Sequence, residues 1–538
     1  MSDHSEGAES AGPAVRLGVD RVLLVGIFLA LSLSIIDGMV VSIAAPTMAA
    51  DLDLSSAGIR WVVNSYTLAR AATFALGGRL ADVYGPRRVL LAGLAVFVIA
   101  SVLCGFAPQE AGTPWLVACR VAQGAGGGVM YPAAMALVVA EFPVHQRGRA
   151  LATLFGCSQL LSALGLPLGG WLTTLSWRWV FWINLPIGVG ALALIAIARG
   201  RNDIGQRGVS QDLKGAALLA AGMTTSVLAL EQAALLGWSD PVTLLLIVSG
   251  PGALALFVLR EKRTPFPLID IRLFRDRCFA LDMSILFFST IAYMPMLFFA
   301  SFYAQLALRD TAVQAGVYLL FFQLAYSVGA QFGGQLQDRV GVKPALLIGA
   351  GLGTAGFALW ALQLRELSVS AQWPFIAMAG MGVGLVVPPA ATDAYGRAGP
   401  EASGMVGGVV QTTRIFSGAL GLALLGSVFS DVAQSRVTST LKDMGMAPGA
   451  VGEAARQLVH FVSDDQGDRL QSSVGGVQLT PAIQETIRLD IVRAHQWVFM
   501  AMALAAAMAF CCALLHPGSR PAGTGPGSAA DARHDAES

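Results

Sequence analysis

Gly78-Arg79-Leu80-Ala81-Asp82-Val83-Tyr84-Gly85-Pro86-Arg87-Arg88 and Gly334-Gln335-Leu336-Gln337-Asp338-Arg339-Val340-Gly341-Val342-Lys343-Pro344 share one pattern, Gly-x-x-x-Asp-x-x-Gly-x-(Arg/Lys), in register. Each copy separates two apolar runs. A motif that returns once in each half of a chain marks an internal duplication, a common architecture of membrane transporters. Its chemistry is readable. Glycine at a helix end lets two backbones approach closely. The aspartate can accept hydrogen bonds from the N-terminus of a neighbouring helix, and the basic residues can pair with carboxylates or lipid phosphates. Gly78, Asp82, Gly85, Arg87, Arg88, Asp338 and Arg339 are therefore read as a cytoplasmic gate. The plainer reading is a positively charged loop that only sets orientation.

Working outward, the whole chain has a membrane composition. Of its 538 residues, 55% are hydrophobic and 13% charged, with mean hydropathy +0.63. A soluble domain carries roughly 25% charged residues. About fourteen runs reach the ~20 apolar residues that a spanning helix needs. They fall near 22–43, 58–79, 89–107, 114–138, 149–172, 179–198, 213–236, 242–259, 278–300, 312–336, 344–364, 374–392, 405–429 and 495–516. Arg79, Arg87, Arg88, Arg147, Arg149, Arg260, Lys262, Arg339 and Lys343 fall on one side, and only Arg178, Arg309 and Arg365 lie in the short loops of the other. The first side is then cytoplasmic, with both termini on it.

The expected fold is an all-α membrane protein of two six-helix bundles plus two inserted transmembrane helices. A cytoplasmic tail over 1–20 precedes the first bundle at 21–199. The inserted pair takes 200–260 and the second bundle 261–516, followed by a cytoplasmic tail over 517–538. The first span is read as retained rather than as a cleaved leader. Residues 430–494 are expected to form a long extracytoplasmic loop, helix-like near 449–462 and 481–493, either a cap or a linker.

Net charge is +1, which gives no electrostatic footprint for nucleic acid. The six cysteines show no ligand spacing, and no Walker motif follows the glycine-rich stretches. No cofactor, metal site or enzymatic constellation is expected. The partners implied are a small-molecule substrate, protons and the lipid bilayer, with an envelope adaptor as a further candidate.

Ionisable residues inside spans are costly and mark function by default. Asp37 and Arg120 each lie about six residues from the outer end of their spans, or ~9 Å deep at 1.5 Å per residue, so an ion pair is geometrically open to them. Asp37 is read as the proton and cation site, tuned by Arg120, against the alternative of a structural salt bridge. Arg70, near the middle of its span, and Arg414 invite two readings each: an anion-binding or Asp37-pairing role, or helix packing. Tyr66, Gln123, Tyr131, Tyr293 and Gln323 are candidates for the wall of a substrate cavity. Glu231 carries less weight, and Asp282 is read as structural, snorkelling to the inner interface. Trp61, Trp115, Trp171, Trp177, Trp179, Trp182 and Trp238 read as an interfacial belt.

The chain resembles the major facilitator superfamily in its fourteen-helix drug:proton antiporter branch, over roughly residues 20–516. The Gly78–Arg88 loop is similar to that family's cytoplasmic loop motif. Asp37-Gly38-Met39-Val40-Val41-Ser42-Ile43-Ala44-Ala45-Pro46 resembles the first-helix motif, and Arg120-Val121-Ala122-Gln123-Gly124-Ala125-Gly126 that of the fourth helix. Gly165-Leu166-Pro167-Leu168-Gly169-Gly170 is similar to the antiporter motif, with its proline displaced by one position. Trp177-Arg178-Trp179-Val180-Phe181-Trp182-Ile183-Asn184-Leu185-Pro186-Ile187-Gly188 is the closest match. The resemblance implies alternating access, with helices one and four lining the central cavity. It implies proton-driven export of small lipophilic or cationic drugs, biocides or secondary metabolites across the inner membrane. An importer or uniporter of a polar metabolite on the same fold is the alternative; a sensor or membrane enzyme lacks supporting residues.

Overall fold

The computed structural model describes residues 21–54, 56–110, 112–142, 144–198, 212–265, 267–310, 312–398, 402–443, 473–474, 477–478 and 481–518. The tails over 1–20 and 519–538, the stretch 449–462, and the side chains of Met39, Ser42, Pro167 and Glu231 lie outside the described residues.

The chain is helical almost throughout. The first half holds α1 (Arg21–Asp51), α2 (Ser56–Tyr84), α3 (Pro86–Gly105), α4 (Gly112–Glu141), α5 (Val144–Leu175) and α6 (Trp179–Ile197, interrupted at Ile183). The pair α7 (Leu213–Leu236) and α8 (Pro241–Glu261) follows. The second half holds α9 (Arg277–Ala307), α10 (Ala312–Val340), α11 (Val342–Gln363), α12 (Val369–Ala398), α13 (Ser403–Asp443) and α14 (Pro481–Leu515). Among the described residues, 9 helices are long and apolar enough to cross a membrane, including the short run at α8.

The duplication in sequence is a duplication in packing. In the first half α4 packs against α2 and α3; in the second, α12 packs against α10 and α11. The motif glycines do the same work twice. Gly85 and Gly341 have φ of 92° and 96° and each sits immediately before a helix, turning the chain from α2 into α3 and from α10 into α11. That left-handed region disfavours any residue with a Cβ.

Two seams join the halves, α2 with α13 and α5 with α10. At the first, a Cβ on Gly78 would stand 2.0 Å from the Gly404 carbonyl oxygen, and one on Gly404 would stand 2.2 Å from that of Gly78. At the second, Ser327 donates to the Gly156 carbonyl at 2.7 Å, and Thr153 lies 3.3 Å from Gln331 Oε1. Small residues bring the backbones together because lipid gives helices no hydrophobic reason to associate.

The inserted pair packs on itself and rests against α2 and α13. Asp212 caps α7 by accepting from Gly215 N–H at 2.9 Å and pairs with Arg260 at 2.7 Å. Most of α8 stays exposed, as a peripheral helix facing lipid would.

The expected long loop over 430–494 is shorter than its polarity implied. α13 runs on to Asp443 and α14 begins at Pro481, so both ends of that stretch are helical. Among the described residues of that stretch, polar side chains lie on exposed helix faces or pair along the extended helices, such as Arg488 with Glu485 at 2.9 Å. A two-residue antiparallel pairing, Ser473–Val474 with Val477–Gln478, lies between them. Trp177 also departs from the expected belt: it is buried, whereas Trp61, Trp115, Trp171, Trp179 and Trp238 are exposed.

The seam makes a prediction. Gly78→Val should lower thermal stability of the purified protein by about 1–3 kcal/mol or more through overpacking against backbone. Gly190→Val, where nothing lies within 4 Å, should be nearly neutral in the same unfolding measurement.

Candidate functional site

Asp37 sits at the centre of a closed polar network in the first half. Arg120 Nη1 donates to Asp37 Oδ2 at 2.5 Å, and both residues are 1% exposed. Gln123 Nε2 and Asn184 Nδ2 donate to Asp37 Oδ1 at 2.8 and 3.1 Å. Gln123 Oε1 in turn accepts from Arg120 at 2.7 Å, because residues three apart share a helix face. Asn184 also donates to Ser101 Oγ at 2.9 Å, which donates to the Phe181 carbonyl at 2.9 Å. Arg120 Nε reaches the Val62 carbonyl at 3.3 Å, and its guanidinium lies 4.2 Å from the Tyr66 ring centroid. Five helices, α1, α2, α3, α4 and α6, meet at this one carboxylate and its partners. A buried charge needs that many partners to offset its desolvation. Asn184 and Ser101 were missed as site residues; a polar side chain in an apolar run was the available signal.

Arg70 does not join this network. Its Nη1 donates to Ser34 O at 3.2 Å and lies 3.4 Å from Ser34 Oγ and from the Tyr66 hydroxyl. The expected pairing with Asp37 is not made, because Arg120 already occupies that carboxylate. Tyr66 is wedged between the two arginines and donates to Ser34 O at 2.8 Å.

Arg414 lies in the other half, on α13, 8% exposed. It donates to Gln411 Oε1 at 3.0 Å and lies close enough to Tyr131 to interact with it electrostatically. Tyr293 and Tyr326 stand close enough to interact with it electrostatically. Tyr293 stacks on Phe322 and on Tyr326, each at 5.8 Å between centroids. Gln323 is buried next to this stack in sequence, with Oε1 unbonded. Tyr326 was not foreseen; its hydroxyl is likewise buried without a hydrogen-bond partner.

The cytoplasmic motif residues divide into two roles. Asp82 accepts from Gly404 N–H at 2.7 Å and Met405 N–H at 2.8 Å, in the first turn of α13. Asp338 accepts from Arg149 N–H at 3.2 Å, near the start of α5. Each carboxylate thus crosses from one half to backbone N–H of the other; for Asp82 these are first-turn groups of α13, free of intrahelical partners, where the helix dipole favours negative charge. Arg87 does something else. It donates to the carbonyls of Ile195, Ala196 and Ala198 at 2.6, 3.0 and 2.7 Å, capping the C-terminus of α6 within its own half. Arg339 and Asp338 line a cavity of about 910 Å³ beside α1 and α5, with Phe28, Arg149, Thr153 and Cys157.

Asp282 does not snorkel. It is fully buried, beside Arg397 at 3.8 Å and His516 at 3.3 Å. Asp282, Asp393 and His516 bring candidate ligand atoms within 4.8 Å of one another. The tautomer argues against a metal: Gly518 N–H donates to His516 Nδ1 at 3.0 Å, so the ring proton is on Nε2, the nitrogen that faces Asp282. At the other end of the molecule, hydrogen bonds from Trp177 and Arg178, both 2.8 Å, hold the Asp51 carboxyl below its usual range.

A family model, described as Major Facilitator Superfamily, matches residues 27–422. The chain belongs to the major facilitator superfamily. It is 30% identical over 471 residues to the multidrug transporter protein MdtP of Bacillus subtilis, covering 86% of this chain and 85% of that one. It is 34% identical over 429 residues to the cephamycin export protein CmcT of Amycolatopsis lactamdurans, covering 78% and 87%. The puromycin resistance protein pur8 of Streptomyces alboniger is 32% identical over 434 residues, covering 79% and 84%. The fold is also that of the human organic anion transporter MFSD10, at TM-score 0.55 and 14% identity over 92% of this chain and 100% of that one. A double-tryptophan mutant of XylE gives TM-score 0.55 at 15% identity, over 93% and 95%. This major facilitator protein is a multi-pass membrane secondary transporter and not an enzyme.

The buried pair carries a prediction. Arg120→Leu alone should destabilise the protein by about 3–5 kcal/mol, because it strands a buried carboxylate. Adding Asp37→Asn should recover part of that loss in thermal unfolding, and a purely additive double variant would count against coupling.

Proposed function

We propose that the protein is a proton-coupled antiporter of the fourteen-helix branch. It exports small lipophilic drugs, biocides or secondary metabolites across the inner membrane by alternating access. On this reading both termini are cytoplasmic, the proton motive force is the energy source, and no cofactor is used. Multidrug transport, antibiotic export and drug resistance in the names of its relatives support the direction.

The observation that carries the coupling is the Asp37 network. Ionised Asp37 accepts from Arg120, Gln123 and Asn184 at once. Protonation removes the charge that holds them: the Arg120 ion pair at Oδ2 is lost, and Gln123 and Asn184 are left with a weaker, neutral acceptor at Oδ1. Helices that a single carboxylate ties down are then free to repack, which is how one proton biases two conformations. The cytoplasmic crossings at Asp82 and Asp338 are the contacts that must break for the inner side to open. Each joins halves that rock against one another in this mechanism. The expected cation preference rested on an open Asp37 carboxylate; that carboxylate is already matched by Arg120.

Proton flux in everted vesicles tests the reading. Energised vesicles with the wild-type protein should lose ΔpH when a substrate is added. Asp37→Asn should insert normally and abolish that response. Undiminished ΔpH collapse in the variant would remove Asp37 from the coupling step. Asp82→Ala should shift the protein toward the inward-open form by about tenfold or more, since each charge-assisted bond is worth ~1.5–3 kcal/mol. Distances between spin labels at the cytoplasmic ends of α2 and α13, in a cysteine-free background, would report it. An unchanged distribution would show that Asp82 holds nothing shut.

A further inference from the structure

Arg70 and Arg414 are charged groups that the proton-coupling network does not use. Among the described residues neither has a carboxylate partner. Asp37, the partner the sequence offered for Arg70, is held by Arg120, Gln123 and Asn184. The acceptors that the two arginines do meet are neutral: Ser34 and Tyr66 for Arg70, Gln411 for Arg414. Each guanidinium keeps a buried Nε with no hydrogen-bond partner. A guanidinium has five donors in a planar fork that matches a carboxylate, phosphate or sulfonate. Such a group, desolvated and lacking counter-charge, is costly inside a membrane protein.

The two arginines are also placed together. Arg70 is on α2 and Arg414 on α13, the helices of the first seam between halves. The Arg70 guanidinium lies 5.7 Å from the Phe74 ring centroid, Phe74 meets Tyr131 edge-on at 6.2 Å, and Tyr131 stands within electrostatic range of Arg414. One aromatic pair is therefore flanked by one cation from each half. Phe155, 5.4 Å from Arg414, extends the aromatic wall.

We propose that Arg70 and Arg414 form a substrate subsite for an anionic group, carboxylate, sulfonate or phosphate, carried on an apolar aromatic body. An anion there would be gripped by both halves, and its release would let them separate. A lipophilic cation would face two positive charges and no open carboxylate. The assignment of this ligand as a transported substrate rests on the exporter reading, whereas its binding does not.

Three dansyl probes with one fluorophore separate charge from shape: dansylglycine, its neutral amide, and dansylamidoethyl-trimethylammonium. Their binding is followed by fluorescence on the full chain in nanodiscs, with empty nanodiscs as the blank. Dansylglycine should bind about tenfold or more tighter than the amide, as charge-assisted pairing implies, and the trimethylammonium probe weakest. Arg70→Gln or Arg414→Gln should erase the preference for the carboxylate while the amide affinity stays unchanged; unchanged amide binding also shows that the variant is folded. Arg414→Lys should keep part of the preference. Equal binding of the three probes to the wild type, none included, overturns the proposal. So does a Gln variant that retains the preference, or that loses amide and carboxylate binding alike. If binding behaves as expected while no compound collapses ΔpH, it is the antiport reading that fails and the subsite stands.

Discussion

A single buried carboxylate organises the first half of this transporter. Asp37 has no water to solvate it, so its charge is tolerable only if the protein surrounds it with donors. Arg120, Gln123 and Asn184 do so from two other helices, and Ser101 and Val62 hold those donors from two more. The arrangement is costly if any member is lost, because a half-satisfied polar network in low dielectric is worse than none. On the proposed reading this makes the site a switch: adding a proton to Asp37 weakens its bonds to α4 and α6 at once.

The second constraint is symmetry. Duplicated motifs place Asp82 and Asp338 near the C-terminal ends of α2 and α10, and each accepts from backbone N–H on a helix of the opposite half. Glycines with positive φ at the same register turn both chains into the next helix. The two seams are built from small residues and a few hydrogen bonds rather than from a large ionic surface. Parting them requires only that Asp82 and Asp338 give up their N–H partners across the seam.

Much of this was legible in the sequence. The register of the two Gly-x-x-x-Asp motifs gave away the duplication, and equal depth brought Asp37 and Arg120 together on paper. What the sequence hid was partner choice. Nothing in the order of residues says that Arg87 turns to the α6 carbonyls while Asp82 crosses to the other half, since both belong to one short motif. Asn184 and Ser101 are small polar residues in apolar runs, and their roles appear only when α3 and α6 converge on α1. Over 430–494 the helix-like pattern near 481–493 was legible and is the start of α14, whereas polarity hid the extension of α13 to Asp443. Asp282 misled in the opposite sense: its closeness to a helix start suggested snorkelling, yet α12 and the segment after α14 cover it completely.

The placement of charge divides the transporter's work. On the proposed reading, acid and base are paired where protons act, and among the described residues Arg70 and Arg414 stand without a carboxylate where the halves meet. The central claim is that Asp37 itself changes protonation during the cycle. Infrared difference spectroscopy of the carboxyl stretch, on the full chain in lipid across a pH titration, tests this most directly. The account predicts a protonated-carboxyl band that rises over the pH range in which transport is driven, is absent from Asp37→Asn, and shifts in Arg120→Leu. A spectrum in which Asp37 stays ionised throughout that range would contradict it.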